Sequence, residues 1–362
     1  MLGAVDQGLI TAVLALGVFL TFRILNFADL TVDGSFTAGT ASTAILIFNG
    51  VPPVVAIGGG IVAGALAGLV TGVLHTKFHI DPLLASILVM LAMYTVNTRI
   101  MWMGHDGLHR SNVGLLGKDT IFTPLVENRL RGTWVSVGCI GAGVLVVAAV
   151  MVWFLATKFG FAVMTTGDNP GMASAMGINT AMTKTVTLMV SNGLVGLCGA
   201  ITAQYVSSSN IEDGRGMILI GLASVILGNA IFGTRYLWLA AIGVVVGAVL
   251  YRVAIFWALK WEFIENSDMK LMSAVLVVVA LVLSQSKSAN TLVTKLSPWR
   301  QRADIPEQMS VVPNPFSPMA ELDAAHQAST AQPTHTGSGH ARHKAPPPCG
   351  PDNPRRGPDD PG

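Results

Sequence analysis

The sequence predicts an all-α, polytopic membrane bundle, and three observations carry that expectation. Of 362 residues, 51% are hydrophobic and only 12% charged, about half the charged share of an ordinary soluble domain. The apolar residues collect into runs long enough to cross a ~30 Å hydrocarbon core at ~1.5 Å per helical residue. Charge and proline are also segregated: residues 1–296 hold 16 Lys and Arg and 13 Asp and Glu, whereas residues 297–362 hold 13 of the 18 prolines. The chain is therefore read as a membrane domain over 1–296 and a Pro/Ala/His-rich tail over 297–362. The tail lacks the apolar content to form a core and is expected to be disordered.

Nine spans follow in order: 7–25, 35–50, 54–73, 83–103, 134–156, 186–206, 216–233, 236–258 and 270–286, within a range of about 8–10. The first follows Asp6 with no basic residue before it, unlike a cleavable signal peptide, and is kept as a retained span. Spans two and three are separated by Gly50-Val51-Pro52-Pro53, which ends one helix and permits a tight reversal. Gly60, Gly64, Gly68 and Gly72, and again Gly243 and Gly247, repeat at four-residue spacing, which lets helix backbones approach closely. Lys287, Lys295, Arg300 and Arg302 after the last span place the C-terminus in the cytoplasm. Working back, loop 157–185 lies inside and loops 104–133 and 207–215 outside.

Several function classes find no support. A net charge of +2 without a concentrated basic face gives no reason to expect nucleic acid. Gly114-Leu115-Leu116-Gly117-Lys118-Asp119 fails as a phosphate-binding loop, because Asn112 stands where the first glycine belongs and Asp119 where Ser or Thr would hold magnesium. Cys139, Cys198 and Cys349 have neither disulfide nor zinc spacing. No catalytic residues, cofactor or metal are expected on this chain. His335, His340 and His343 in the tail are isolated histidines in low-complexity sequence.

Two polar segments interrupt the apolar pattern. The first, Arg23 to Phe36, contains Asn26, Asp29, Thr31, Asp33 and Ser35. Non-helical backbone at membrane depth survives only where protein or a water-filled cavity satisfies its hydrogen bonds. One reading is a broken helix lining a transport path, with Asp33-Gly34-Ser35 capping the next half-helix and its positive end open to a substrate carboxylate. The other is an ordinary capped loop at the membrane surface.

The second segment, Thr166 to Thr180, describes a short helix. Asn169 or Asp168 serves as N-cap, Pro170 occupies the first turn and Gly177 is the left-handed stop. Met172, Ala173 and Met176 share a face suited to a groove on a partner. A helix resting on lipid is the other reading, but such helices carry Lys or Arg on their polar face, and none occurs between Lys158 and Lys184. Arg99 and Arg252 within spans are functional hypotheses by default. Gln204, Tyr205 and Ser207 to Asn210 end a span on the outside, facing substrate or merely solvent.

Ala15 to Phe36, including Phe22-Arg23-Ile24-Leu25-Asn26-Phe27-Ala28-Asp29-Leu30-Thr31-Val32-Asp33-Gly34, resembles the opening of permease subunits of ATP-binding-cassette importers in the group beside the branched-chain amino-acid permeases. Thr166 to Thr180 is similar to that group's cytoplasmic coupling loop, and Gly221-Leu222-Ala223-Ser224-Val225-Ile226 to a later signature. The resemblance covers about residues 5–286. It implies a multi-pass protein of the bacterial plasma membrane that pairs with a second permease subunit and meets two ATPase subunits through Gly167 to Gly177. ATP and Mg would be bound by the separate ATPase, and a solute would be received from an extracytoplasmic binding protein. Some relatives import tryptophan or tyrosine, so a small polar solute, most simply an amino acid, is expected. Met164, Gly171 and Ser174 replace basic residues usual around the coupling helix, and Asn229 replaces a glutamate. A self-contained carrier or channel, or a scaffold presenting the proline-rich tail, are the competing readings.

Overall fold

The computed structural model describes residues 1–103, 112–124, 132–232, 237–258 and Val278. The chain divides into two units, Met1–Pro298 and Trp299–Gly362, and everything below concerns the first. Apart from Val278, the expected ninth span, the basic cluster from Lys287 and the tail lie outside the described residues.

Helix α1 (Leu2–Val18) continues into a π-helical stretch, Phe19–Ile24. Then come α2 (Val32–Phe48), α3 (Pro53–Phe78), α4 (Pro82–Trp102) and α5 (Trp134–Ala156). Helices α6 (Lys158–Asp168) and α7 (Pro170–Ala175) are short, and α8 (Thr180–Val206), α9 (Met217–Phe232) and α10 (Leu237–Ala258) complete the set. Among the described residues, seven helical stretches are long and apolar enough to cross a membrane. Helix α2, of 17 residues, is not among them; it is buried along most of its length, so its apolar side chains serve packing.

The glycine stripes are close-packing surfaces. Gly64 and Gly68 of α3 lie against the backbone carbonyls of Asn192 and Leu188 in α8, and Gly60 and Gly72 against Ala200 and Thr185. Gly39 of α2 meets the Gly196 carbonyl of the same helix. Gly228 and Gly247 join α9 to α10 in the same way. Lipid offers no hydrophobic drive for helix association, so contact at backbone distance supplies the attraction. Helix α1 runs through the centre, with Ala12 to Leu16 fully buried.

Three features depart from the expected map. Helix α8 begins at Thr180 rather than 186, and Lys158–Asp168 form α6 instead of a loop. Asn112–Gly114 and Ser208–Asn210 pair as a two-stranded antiparallel ribbon at the end of the bundle where α8 finishes. The three-residue strands have no hydrophobic alternation long enough to announce them.

Candidate transport path and coupling site

The chain breaks helix between Leu25 and Thr31 because the π-helical turn shifts the hydrogen-bond register and Asn26 adopts a left-handed backbone, φ +54°. Three of its amides find acceptors inside the protein. Leu25 and Phe27 amides donate to the Leu20 and Thr21 carbonyls, and the Thr31 amide donates to Asp29 Oδ1 at 2.9 Å. Asn192 Nδ2 in α8 donates to Asp29 Oδ2 at 2.6 Å, while Ser35 Oγ donates to Asn192 Oδ1 at 2.7 Å. Thr31 and Thr71 hydroxyls pair at 2.8 Å. Asp29, Thr31 and Ser35 thus form a closed, fully buried network tying the broken segment to α3 and α8. Asn26 stands apart from it and is exposed.

The expected capping arrangement is corrected. Asp33 does not cap its own helix: its two carboxylate oxygens accept from the amides of Gly216 and Ile218, each at 2.9 Å, at the start of α9. The N-terminus of α2 has the Asp29 carboxyl group beside it instead, accepting from the N-cap residue Thr31. The position imagined for a substrate carboxylate is therefore held by a side chain of the protein.

Beside Asp33 opens a cleft of about 330 Å³ lined by Gly34, Met90, Leu91, Tyr94, Asn97, Ile211 and Arg215. It lies between α2, α4 and a 3₁₀ turn, Ile211–Gly214. Arg215 pairs with Glu212 at 2.8 Å and its guanidinium carbon lies 5.5 Å from the centre of the Tyr94 ring. Asn97, Asn192, Tyr94 and Arg215 were not singled out from sequence, although two asparagines inside apolar runs were the available signal.

The segment expected to couple to an ATPase forms as its capping residues dictate. Asn169 Oδ1 accepts from the Met172 amide at 3.0 Å, Pro170 opens α7, and Gly177 takes φ +81°, with the Ile178 amide closing onto the Ala173 carbonyl at 3.0 Å. Asp168 ends α6 rather than capping α7. The expected three-residue face is divided: Met172 and Met176 are 52% and 62% exposed, but Ala173 is fully buried. Gly171 and Ser174 are exposed beside them. Helix α6 then connects this segment to the broken one. Val163 and Phe159 pack on Leu25 and Phe27, and Gly167 lies so close to the Ile24 carbonyl that no side chain would fit.

The remaining sequence candidates are structural neighbours. Arg99 is exposed, whereas Arg252 turns inward and its Nε donates to Thr11 Oγ1 at 3.3 Å. Gln204 bonds the Ile121 amide and the Pro53 carbonyl, and Tyr205 donates to Asp6 Oδ2 at 3.3 Å. The Asn229 side-chain oxygen is buried without a hydrogen-bond partner among the described residues.

Residues 1–282 match the family described as the permease component of the branched-chain amino acid transport system. The chain is 33% identical over 302 residues to a tyrosine transport system permease protein of Clostridioides difficile, covering 82% of this chain and 97% of that one. An uncharacterized protein, RP368, of Rickettsia prowazekii is 30% identical over 64% of this chain and 78% of its own length. The ribose import permease protein RbsC of Escherichia coli is 25% identical over 62% and 67%. This chain belongs to the permease family so described. It is a multi-pass membrane subunit of an ATP-binding-cassette importer.

Proposed function

We propose that this permease moves an amino acid by alternating access, driven by ATP and Mg bound on a separate ATPase that docks at α7. A second permease subunit completes the path, an extracytoplasmic binding protein delivers the solute, and α7 and the C-terminus face the cytoplasm of a bacterial plasma membrane. The observation that carries this reading is the capped α7, which presents Met172 and Met176 outward while α6 bears directly on the broken segment. Movement of α7 would be transmitted through Gly167 and Val163 to Leu25 and Phe27, and so to the Asp29 network beside the path. The permease itself breaks no bond: it supplies binding groups and gates.

The test is Gly177→Val. Nothing lies within 4 Å of a Cβ built there, so the change acts through the left-handed backbone alone, at about 1–2 kcal/mol. Membrane insertion should persist while ATPase co-purification and uptake fall, and Gly177→Asn should retain both because asparagine tolerates that conformation. Normal uptake in the valine variant sinks the coupling assignment. Folded, monodisperse protein with no ATPase would favour a self-contained carrier.

A further inference from the structure

We propose that an apolar groove between α3 and α5 holds one acyl chain of a membrane phospholipid, taken from the leaflet on the side opposite α7, and that this chain completes the packing of α5 against the bundle.

Helix α5 is attached by a single stripe. Ile140, Val144, Ala148, Met151 and Leu155 are buried at intervals of three and four residues, whereas Leu145, Val146, Val150 and Trp153 of the same helix are exposed. Beside that stripe lies a groove of about 320 Å³. Ile10 and Val13 of α1 and Leu197 and Ile201 of α8 form its floor, and Cys139, Gly143 and Val147 of α5 with Ile57 of α3 its sides. A Cβ built on Gly143 meets nothing within 4 Å, so the space there is open.

The end of the groove away from α7 is shut by polar and aromatic contacts. Gln204 Oε1 accepts from the Ile121 amide at 3.0 Å and its Nε2 donates to the Pro53 carbonyl at 3.2 Å. The Phe122 ring stands edge-on to Tyr205, with centroids 5.4 Å apart, and the Tyr205 and Ser136 hydroxyls both donate to Asp6 Oδ2. Apart from Cys139, Gln204 is the only polar side chain among the described residues lining the groove, and its amide is engaged at both ends. A polar ligand would be stripped of water without replacement partners, and a cavity this apolar does not hold water. The open side runs along Cys139 and Gly143, both exposed, on a helix long and apolar enough to cross the membrane. Whatever enters comes from the hydrocarbon.

Length and width select the occupant. From Cys139 to Val147 the helix advances ~12 Å, beginning about 7 Å beyond Trp134 at the start of α5. Trp134 is exposed, as an indole at a membrane–water interface is, so the groove spans the leaflet nearest that end. About 320 Å³ over ~12 Å gives a section of roughly 27 Å². One hydrocarbon chain fits such a section, and a helix ~10–12 Å across does not. Apolar walls facing an empty slot forfeit their dispersion contacts, which a chain drawn from the bilayer restores.

The experiment reconstitutes the intact permease in phosphatidylethanolamine–phosphatidylglycerol vesicles containing a phospholipid with a diazirine midway along one acyl chain, and maps the photoadducts by mass spectrometry. Adducts should form on Ile10 and Val13, which are 3% and 1% exposed and out of reach of lipid outside the groove, as well as on the exposed Leu145. In Gly143→Phe, which fills the groove, the Ile10 and Val13 adducts should fall about tenfold or more, while those on Leu145 stay within about twofold. Val147→Phe should act in the same direction, so the assignment does not hang on the folding of one variant. Adducts confined to exposed positions in the unaltered permease overturn the assignment, whether residues 270–286 or a second copy fills the groove. Undiminished Ile10 and Val13 adducts in both variants overturn it as well. Oxidation of the Cys349→Ser protein, in which Cys139 is exposed and Cys198 buried, should leave copies unlinked; a disulfide-linked dimer places a second copy on the groove and refutes the lipid. None of these outcomes bears on ATPase docking at α7.

Discussion

Replacing Asn192 with leucine tests whether the broken segment is held by the network that the structure assigns to it. Leucine has the same branched shape but is bulkier, so at this fully buried position overpacking adds to the loss of hydrogen bonding. It deletes the 2.6 Å bond to Asp29 Oδ2 and leaves the Ser35 hydroxyl without its 2.7 Å acceptor. A bond to a carboxyl group contributes about 1.5–3 kcal/mol if ionised and the neutral bond about 0.5–1.5 kcal/mol. Their sum is roughly 2–4.5 kcal/mol. At roughly 2–4 °C per kcal/mol for a chain of this order, the unfolding midpoint in detergent should fall by about 5–15 °C. Ser35→Ala placed on top should add much less than it does alone, because the hydroxyl has already lost its partner. A shift under about 2 °C, or full additivity of the two substitutions, would refute the network as the element holding Asp29 and α2 in place.

Three further outcomes follow from the same geometry. Asp33→Ala removes the carboxylate that accepts from the Gly216 and Ile218 amides, so it should destabilise the protein by about 1–2 kcal/mol, and Asp33→Asn by less, both read by thermal unfolding. Met172→Glu and Met176→Glu change exposed positions; stability should stay within about 0.5 kcal/mol, while ATPase retention in a pull-down falls sharply. Gly167→Ala drives a methyl group onto the Ile24 carbonyl; overpacking of this kind costs about 1–3 kcal/mol, and uptake per bound ATPase should drop even where the complex still assembles.

The helical crossings were legible because the bilayer sets their length and hydrophobicity, and both are written along the chain. Span 134–156 coincides with α5, and 236–258 differs from α10 by one residue. The short helix α7 was equally legible, since Asn169, Pro170 and Gly177 act on their own neighbours within one turn. Helix α6 was missed because its apolar residues serve two neighbours, the broken segment and the end of α5, and show no long run. Asp33 shows the limit most clearly. Local rules allot a carboxylate at the start of a helix to that helix, yet the amides it meets lie about 180 residues further on.

What the sequence determined by itself was everything governed by local spacing: the all-α membrane class, the order of the long apolar helices, the glycine faces and the capped short helix α7. What tertiary structure alone decided was which polar residues spend their hydrogen bonds on the protein and which keep one unspent. Asp29, Thr31 and Ser35 are closed into a network by Asn192 and Thr71, while the buried Asn97 side-chain oxygen has no hydrogen-bond partner among the described residues. The physical reason is that the partners come from helices distant in sequence, and a polar group's role depends on what surrounds it in three dimensions.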